Sequence, residues 1–197
     1  MLLTILRVGA TAYAQAPKIK IPPEIAAYGV TLLSATDPLA SEFVHRLLGA
    51  DADALAPVLP YAAVVVNNGD DRLLQTSVGF KWRDPARIVP NPAIYISLTA
   101  FSRAVPTQVK PGDSKLIFPS RELNFWVGRK AYDPGNAAPV STVSEAINKV
   151  AQDFAPRVST FNLELDSVTV EHVGLVGPDV VGRRSHDTAQ LLQGELP

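Results

Sequence analysis

Val58-Leu-Pro-Tyr-Ala-Ala-Val-Val-Val66 runs into Asn67-Asn68-Gly69-Asp70, and Leu74-Gln-Thr-Ser-Val-Gly-Phe-Lys-Trp82 comes soon after. The first piece is an apolar, β-branched run bounded by turn residues. Asn-Gly is a strong hairpin dipeptide because both residues tolerate positive φ. In the second piece Leu74, Thr76, Val78, Phe80 and Trp82 alternate with Gln75, Ser77, Gly79 and Lys81, the period of a half-buried strand. The two pieces therefore predict a β-hairpin, with Trp82 buried beside Val78 and Phe80.

Further strands are expected on either side of this pair. Ile94, Ile96 and Leu98 alternate with Tyr95, Ser97 and Thr99, which predicts a strand over 93–101. Pro111-Gly112 suits the centre of a type II turn, with short strands expected at 114–118 and 122–128. Within the latter, Trp126 lies opposite Leu123, Phe125 and Val127 in parity, so its indole is expected on the outer face. Across 159–170, Phe161, Leu163 and Leu165 share one parity while Val168 and Val170 share the other. The inward face thus switches near Asp166-Ser167, as an inserted bulge residue would make it do, and the Asp166 carboxylate is read as the acceptor for amides the bulge opens. Gly177-Pro178 then turns the chain out of the sheet and leaves Asp179 to cap the next segment. Trp82, Asp166, Gly177, Pro178 and Asp179 are accordingly read as structural.

Two helices interrupt the strands. Asp37 precedes Pro38, a cap and a first-turn residue, and Leu39, Phe43, Val44, Leu47 and Leu48 fall on one face until Gly49. Val143, Ala146, Ile147, Val150, Ala151 and Phe154 repeat at three-four spacing behind Thr142-Val-Ser-Glu145, a capping-box string. Short strands separated by turn signals, with helices only as insertions, predict a mainly-β fold: an antiparallel immunoglobulin-like β-sandwich with one or two short helices. Residues 58–181 form this expected domain, 17–57 an extended arm and short helix, and 182–197 a polar C-terminal tail.

The 197 residues are 47% hydrophobic and 19% charged, which excludes disorder as the main state. A net charge of -1 offers no field for collecting phosphate backbones, so nucleic acid is not an expected partner. Zero Cys removes disulfides, thiolate nucleophiles and Cys-ligated metals together. The first sixteen residues form an apolar run closing in Ala12-Tyr-Ala14 and Ala14-Gln-Ala16, the small-x-small form a signal peptidase cuts. An N-terminal signal peptide over 1–16 and a secreted or periplasmic, extracytoplasmic location are therefore expected. No stretch approaches the roughly 20 apolar residues of a membrane span.

No motif carries chemistry. His45, His172 and His186 have neither helical metal spacing nor an H-E-x-x-H string, and the serines lack G-x-S-x-G. Neither a dinucleotide fingerprint nor a P-loop occurs, so no catalytic residue, metal or cofactor is assigned. Calcium is the one ion with candidate oxygen ligands: Asp51 with Asp53, Asp70 with Asp71, and the trio Asp166, Glu171 and Asp179. Solvated turns and a satisfied bulge are the plainer readings of these carboxylates. An outward Trp126 is the one candidate binding residue, because sugar-binding modules present flat indole rings on a sheet face.

Pro60-Tyr-Ala-Ala-Val-Val-Val-Asn-Asn68, Val78-Gly-Phe-Lys-Trp82, Lys110-Pro-Gly-Asp-Ser-Lys-Leu116, Leu165-Asp-Ser-Val-Thr-Val-Glu171 and Val176-Gly-Pro-Asp179 resemble a group of secreted bacterial immunoglobulin-like or fibronectin-like sandwich proteins. The resemblance spans about 58–180 and departs at His172-Val173, where an Asp-Gly turn would be expected. It implies a fold and a compartment, with no activity attached. The functional expectation is a non-catalytic extracytoplasmic domain mediating protein or cell-surface interaction. A carbohydrate-binding module is the alternative, and a hydrolase with a non-local site the third reading.

Overall fold

A computed structural model describes residues 17–83, 93–99 and 108–180. The expected signal peptide and its cleavage points, Ala100 and Phe101, His186 and the tail lie outside the described residues. Of those described, 41% are helical and 31% are strand, in two sheets, which overturns the immunoglobulin-like sandwich expected from the strand pattern. The fold mixes α and β, with helices forming much of the covering layer.

The larger sheet is built on β4 (Leu73–Lys81) and β7 (Asn162–Val170), which pair antiparallel. β5 (Ala93–Thr99) pairs antiparallel with β4. On the far side of β7, β1 (Lys18–Lys20) runs parallel to its first residues and β8 (Gly174–Val176) antiparallel to its last. The smaller sheet places β3 (Ala63–Asn67) between β2 (Val30–Ser34) and β6 (Ser114–Ile117), all antiparallel.

The expected hairpin is the first local correction, because β3 and β4 are both strands but belong to different sheets. Both edges of β3 are occupied by β2 and β6, so no ladder is left for β4. Neither Asn68 nor Gly69 adopts the positive φ of a type I′ turn. Instead the Asn67 amide donates to the carbonyls of Asp71 and Val109, 2.8 and 2.9 Å away, while its oxygen accepts from the Gly69 N–H at 3.1 Å. Gly69 is glycine for space: a Cβ there would sit 2.1 Å from the Tyr28 carbonyl oxygen. The Asn-Gly signal thus serves a crossing between sheets.

The parity switch in β7 has its physical counterpart. Ser77 faces Ser167 and Val78 faces Leu165, so Asp166 is the extra residue of a bulge. Its carboxylate is used differently from expectation. Oδ1 accepts from the Val180 N–H at 3.0 Å, tying the chain beyond β8 back to the bulge, and Oδ2 accepts from the Ser167 hydroxyl at 3.4 Å. Gly177 has φ 108, and a Cβ on it would lie 2.6 Å from the Asp166 carbonyl oxygen. Pro178 is exposed, and Asp179 is half-buried with φ 46.

Five α-helices complete the described chain: α1 (Pro23–Ala26), α2 (Pro38–Leu48), α3 (Ala52–Leu55), α4 (Arg121–Tyr132) and α5 (Ser144–Phe154). Asp37 caps α2 by accepting from the Leu39 N–H at 2.9 Å. That helix buries Ala40, Val44 and Leu48, one turn apart, and leaves Leu39 82% exposed. The Thr142 box does not form. Val140–Val143 is a 3-10 turn, in which the Thr142 hydroxyl donates to the Pro139 carbonyl at 2.7 Å.

The second correction is α4, read from parity as a strand over 122–128. Leu123, Asn124, Trp126 and Val127 are buried while Phe125 is 55% exposed, a three-four period where two was expected. Residues 17–57 do not hang off the domain. They supply β1, α1, β2, α2 and α3, and Ile25, Leu32, Val44 and Leu55 enter the same core as Val64, Phe80 and Leu165. At one side of that core Trp82, 8% exposed, meets Phe154 edge-on at 5.2 Å, and Phe154 also contacts Tyr61 and Phe161. No helix among the described residues is long and apolar enough to cross a membrane.

Candidate functional site

The first turn of α4 is held by local hydrogen bonds that the strand reading concealed. Ser120 accepts from the Leu123 N–H at 3.4 Å and donates to Glu122 at 2.7 Å. The Asn124 side chain closes a two-way bridge to Phe118, accepting from its N–H at 2.7 Å and donating to its carbonyl at 2.8 Å. Arg129 and Lys130 in the last turn face the negative end of the helix dipole. Serine at the cap and basic residues at the end are the sequence signals that identify this helix.

Trp126 is therefore no outer-face platform. It is 4% exposed, and its Nε1–H donates to the Ala138 carbonyl at 2.8 Å. The Lys130 ammonium stands 5.6 Å from its ring centroid and also pairs with Asp51. A ring so placed cannot lie flat against a sugar, which overturns the geometry assumed for the carbohydrate reading.

Two clefts flank the start of α4. One, of about 670 Å³, lies between Ile94, Tyr95 and Ile96 of β5, the Pro119–Glu122 corner, and Glu145, Lys149 and Asp153 of α5. The other, of about 590 Å³, is lined by Phe125, Trp126, Arg129, Asn136 and Ala138. Arg121, Glu122, Thr142 and Val143 are common to both walls. The Glu122 carboxyl is held below its ordinary value, first by the Ser120 hydroxyl and further by Lys149 and Arg121 nearby. It is thus an anion between cations at the rim. Beneath this rim the first cleft is floored by Ile96, Val150 and Phe154, so charge sits at the edge and apolar surface at the base.

The remaining candidates are scattered. His45 and His172 are exposed, and neither lines a described cleft. Asp51 pairs with Lys130 and Glu171 with Arg72, so each of those carboxylates has a protein cation beside it. Among the described residues no group of three His, Asp or Glu is arranged to hold a metal ion. No known protein family, curated protein or solved structure matches this chain.

Proposed function

We propose that this chain is a non-catalytic interaction module acting outside the cytoplasm, and that the paired clefts around the start of α4 receive its partner. The supporting observation is Phe125, a large apolar side chain 55% exposed beside the charged wall shared by two clefts. An exposed aromatic next to apolar-floored, charge-rimmed clefts is the surface chemistry of a protein contact: the ring anchors, and the rim sets orientation. The partner in this reading is a protein or envelope component presenting an amphipathic segment, not a nucleic acid. The apolar N-terminal run ending in Ala14 and Ala16 supports the compartment.

A photo-crosslinking residue placed at position 125 in the native host tests the surface, with position 39, exposed on α2, as control. A discrete adduct at 125 that is absent at 39 and lost on adding Arg121→Glu supports the reading. Identical patterns from both positions overturn it. Intact mass of the native product tests the compartment, since a chain retaining Met1 rules out cleavage after Ala14 or Ala16. A glycan array on the same preparation decides the sugar alternative, for which binding abolished by Phe125→Ala is the required result.

A further inference from the structure

Ile94, Tyr95 and Ile96 border the larger cleft in succession. Because successive strand residues point to opposite faces, a cleft touching three in a row runs along the edge of the strand. β5 is the last strand of its sheet and, among the described residues, pairs with β4 alone. Its far edge therefore presents backbone N–H and C=O groups without a ladder to the space between α5 and the Pro119–Glu122 corner. Open edges are ordinarily blunted by charged side chains or proline, and β5, Ala93-Ile-Tyr-Ile-Ser-Leu-Thr99, has neither. At seven residues it offers a ladder of full strand length. The edge is a template for one more strand.

The walls of the cleft say what kind of strand fits. Its base is apolar, with Ile96, Val150 and Phe154, so every second residue of an added strand meets apolar surface. At the rim Glu122 already lies between Arg121 and Lys149. Glu145 and Asp153, both exposed on α5, take part in no ion pair among the described residues, which leaves the rim net acidic. We propose, building on the reading of these clefts as a partner's seat, that the partner adds a strand to β5. That strand is an extended segment with apolar residues at alternate positions and lysine or arginine at its ends. Main-chain bonds along β5 supply the affinity, and the alternate side chains and end charges supply the selection.

The probe is the dye-labelled, amidated peptide Lys-Thr-Val-Thr-Val-Thr-Lys, whose valines and terminal lysines share one face. It is titrated into the full chain by fluorescence anisotropy, and amide hydrogen exchange is followed across residues 93–99. At saturation exchange in β5 is expected to slow at least about fivefold. A strand joins a sheet along one edge only, so methylating one alternate set of peptide amides is expected to abolish binding and methylating the other set to leave it. Replacing both lysines by glutamate is expected to weaken binding at least about tenfold. No binding up to about 1 mM, equal behaviour of the two methylated peptides, equal affinity of the glutamate peptide, or binding without slower exchange in β5 overturns the proposal. A crosslink at position 125 with no strand binding overturns the added strand and leaves the interaction reading standing.

Discussion

The two tryptophans occupy opposite kinds of environment. Trp82 follows directly on β4 and packs into a cluster of rings, with Phe154 5.2 Å away and the Arg157 guanidinium 5.0 Å above its own ring. Its Nε1 has no hydrogen-bond partner among the described residues, so its place is held by packing. Trp126 sits on α4, where its Nε1–H reaches the Ala138 carbonyl and the neighbouring Asn124 clamps Phe118. One region is stabilised by many non-directional contacts and the other leans on a few directed bonds. Alternation along β4 points Trp82 inward whatever covers it, whereas the bonds around Trp126 exist only once α4 is a helix.

The largest expected effect is in the ring cluster. Trp82→Ala is predicted to cost about 3–5 kcal/mol in urea unfolding, the lost transfer energy plus the cavity left against Phe154. A cost under about 1 kcal/mol would break the comparison. Next comes Asn124→Ala, which strands both backbone groups of Phe118 in a buried corner and is expected to cost about 2–3 kcal/mol by the same measurement. If it costs under about 0.5 kcal/mol, directed bonds do not hold the α4 region. Trp126→Phe keeps most of the apolar surface and removes only the bond to Ala138, so about 1 kcal/mol is expected. A loss equal to that of Trp82→Ala would show that packing dominates at both sites.

The smallest effect is electrostatic and lies in the larger sheet. Burial raises the Glu164 carboxyl, but the ammonium groups of Lys20 and Lys81 more than offset this and hold it below its ordinary value. A carboxyl depressed in the folded state contributes stability that is complete above its unfolded value near 4.5 and is lost as pH falls through the folded value. Lys81 is opposed first by burial, then raised overall by Glu164 and Tyr95, so its share is present below its ordinary 10.5 and fades above it. Glu164→Gln is therefore expected to remove about 0.5 kcal/mol near neutrality and to flatten the acid limb of stability against pH. An unchanged acid limb in thermal melts from about pH 6 to 3 would assign acid sensitivity elsewhere.

Much of the chain was legible one element at a time. The strands at 74–82 and 161–170, the parity break at Asp166, the capped helix after Asp37 and the three-four repeat ending at Phe154 have their counterparts in β4, β7, α2 and α5. The half-buried alternation expected in 74–82 is not observed, since Gln75 and Ser77 are buried along with Thr76 and Val78 and both faces of β4 are covered. What was misread is the short apolar run Leu123-Asn-Phe-Trp-Val127, where two periods fit equally well over five residues. Ser120 and the Arg129-Lys130 pair carried the helix signal there. β2 lies inside the segment expected to be an extended arm, and its apolar residues Val30, Leu32 and Leu33 become a strand because β3 offers a ladder.

Sequence by itself thus determined where most of the strands and helices lie, because side-chain period is a local property of the backbone and is written every two or every three to four positions. The burial of both faces of β4 and β7 depends instead on what packs over them. Only the tertiary structure decided which strand pairs with which. A period records that a face is covered and says nothing of what covers it, so Asn67 to Gly69 read equally as a hairpin tip or as a crossing between sheets. The same limit applies to the sites. The two clefts draw on β5, α4, the 3-10 turn and α5, and a smaller cavity at Lys115 on β5, β6, α2 and α4. Lys115 is an ordinary residue in its own strand. Phe43, more than seventy positions earlier, and Val127 on a later helix line one cavity with it, and no local pattern encodes that meeting.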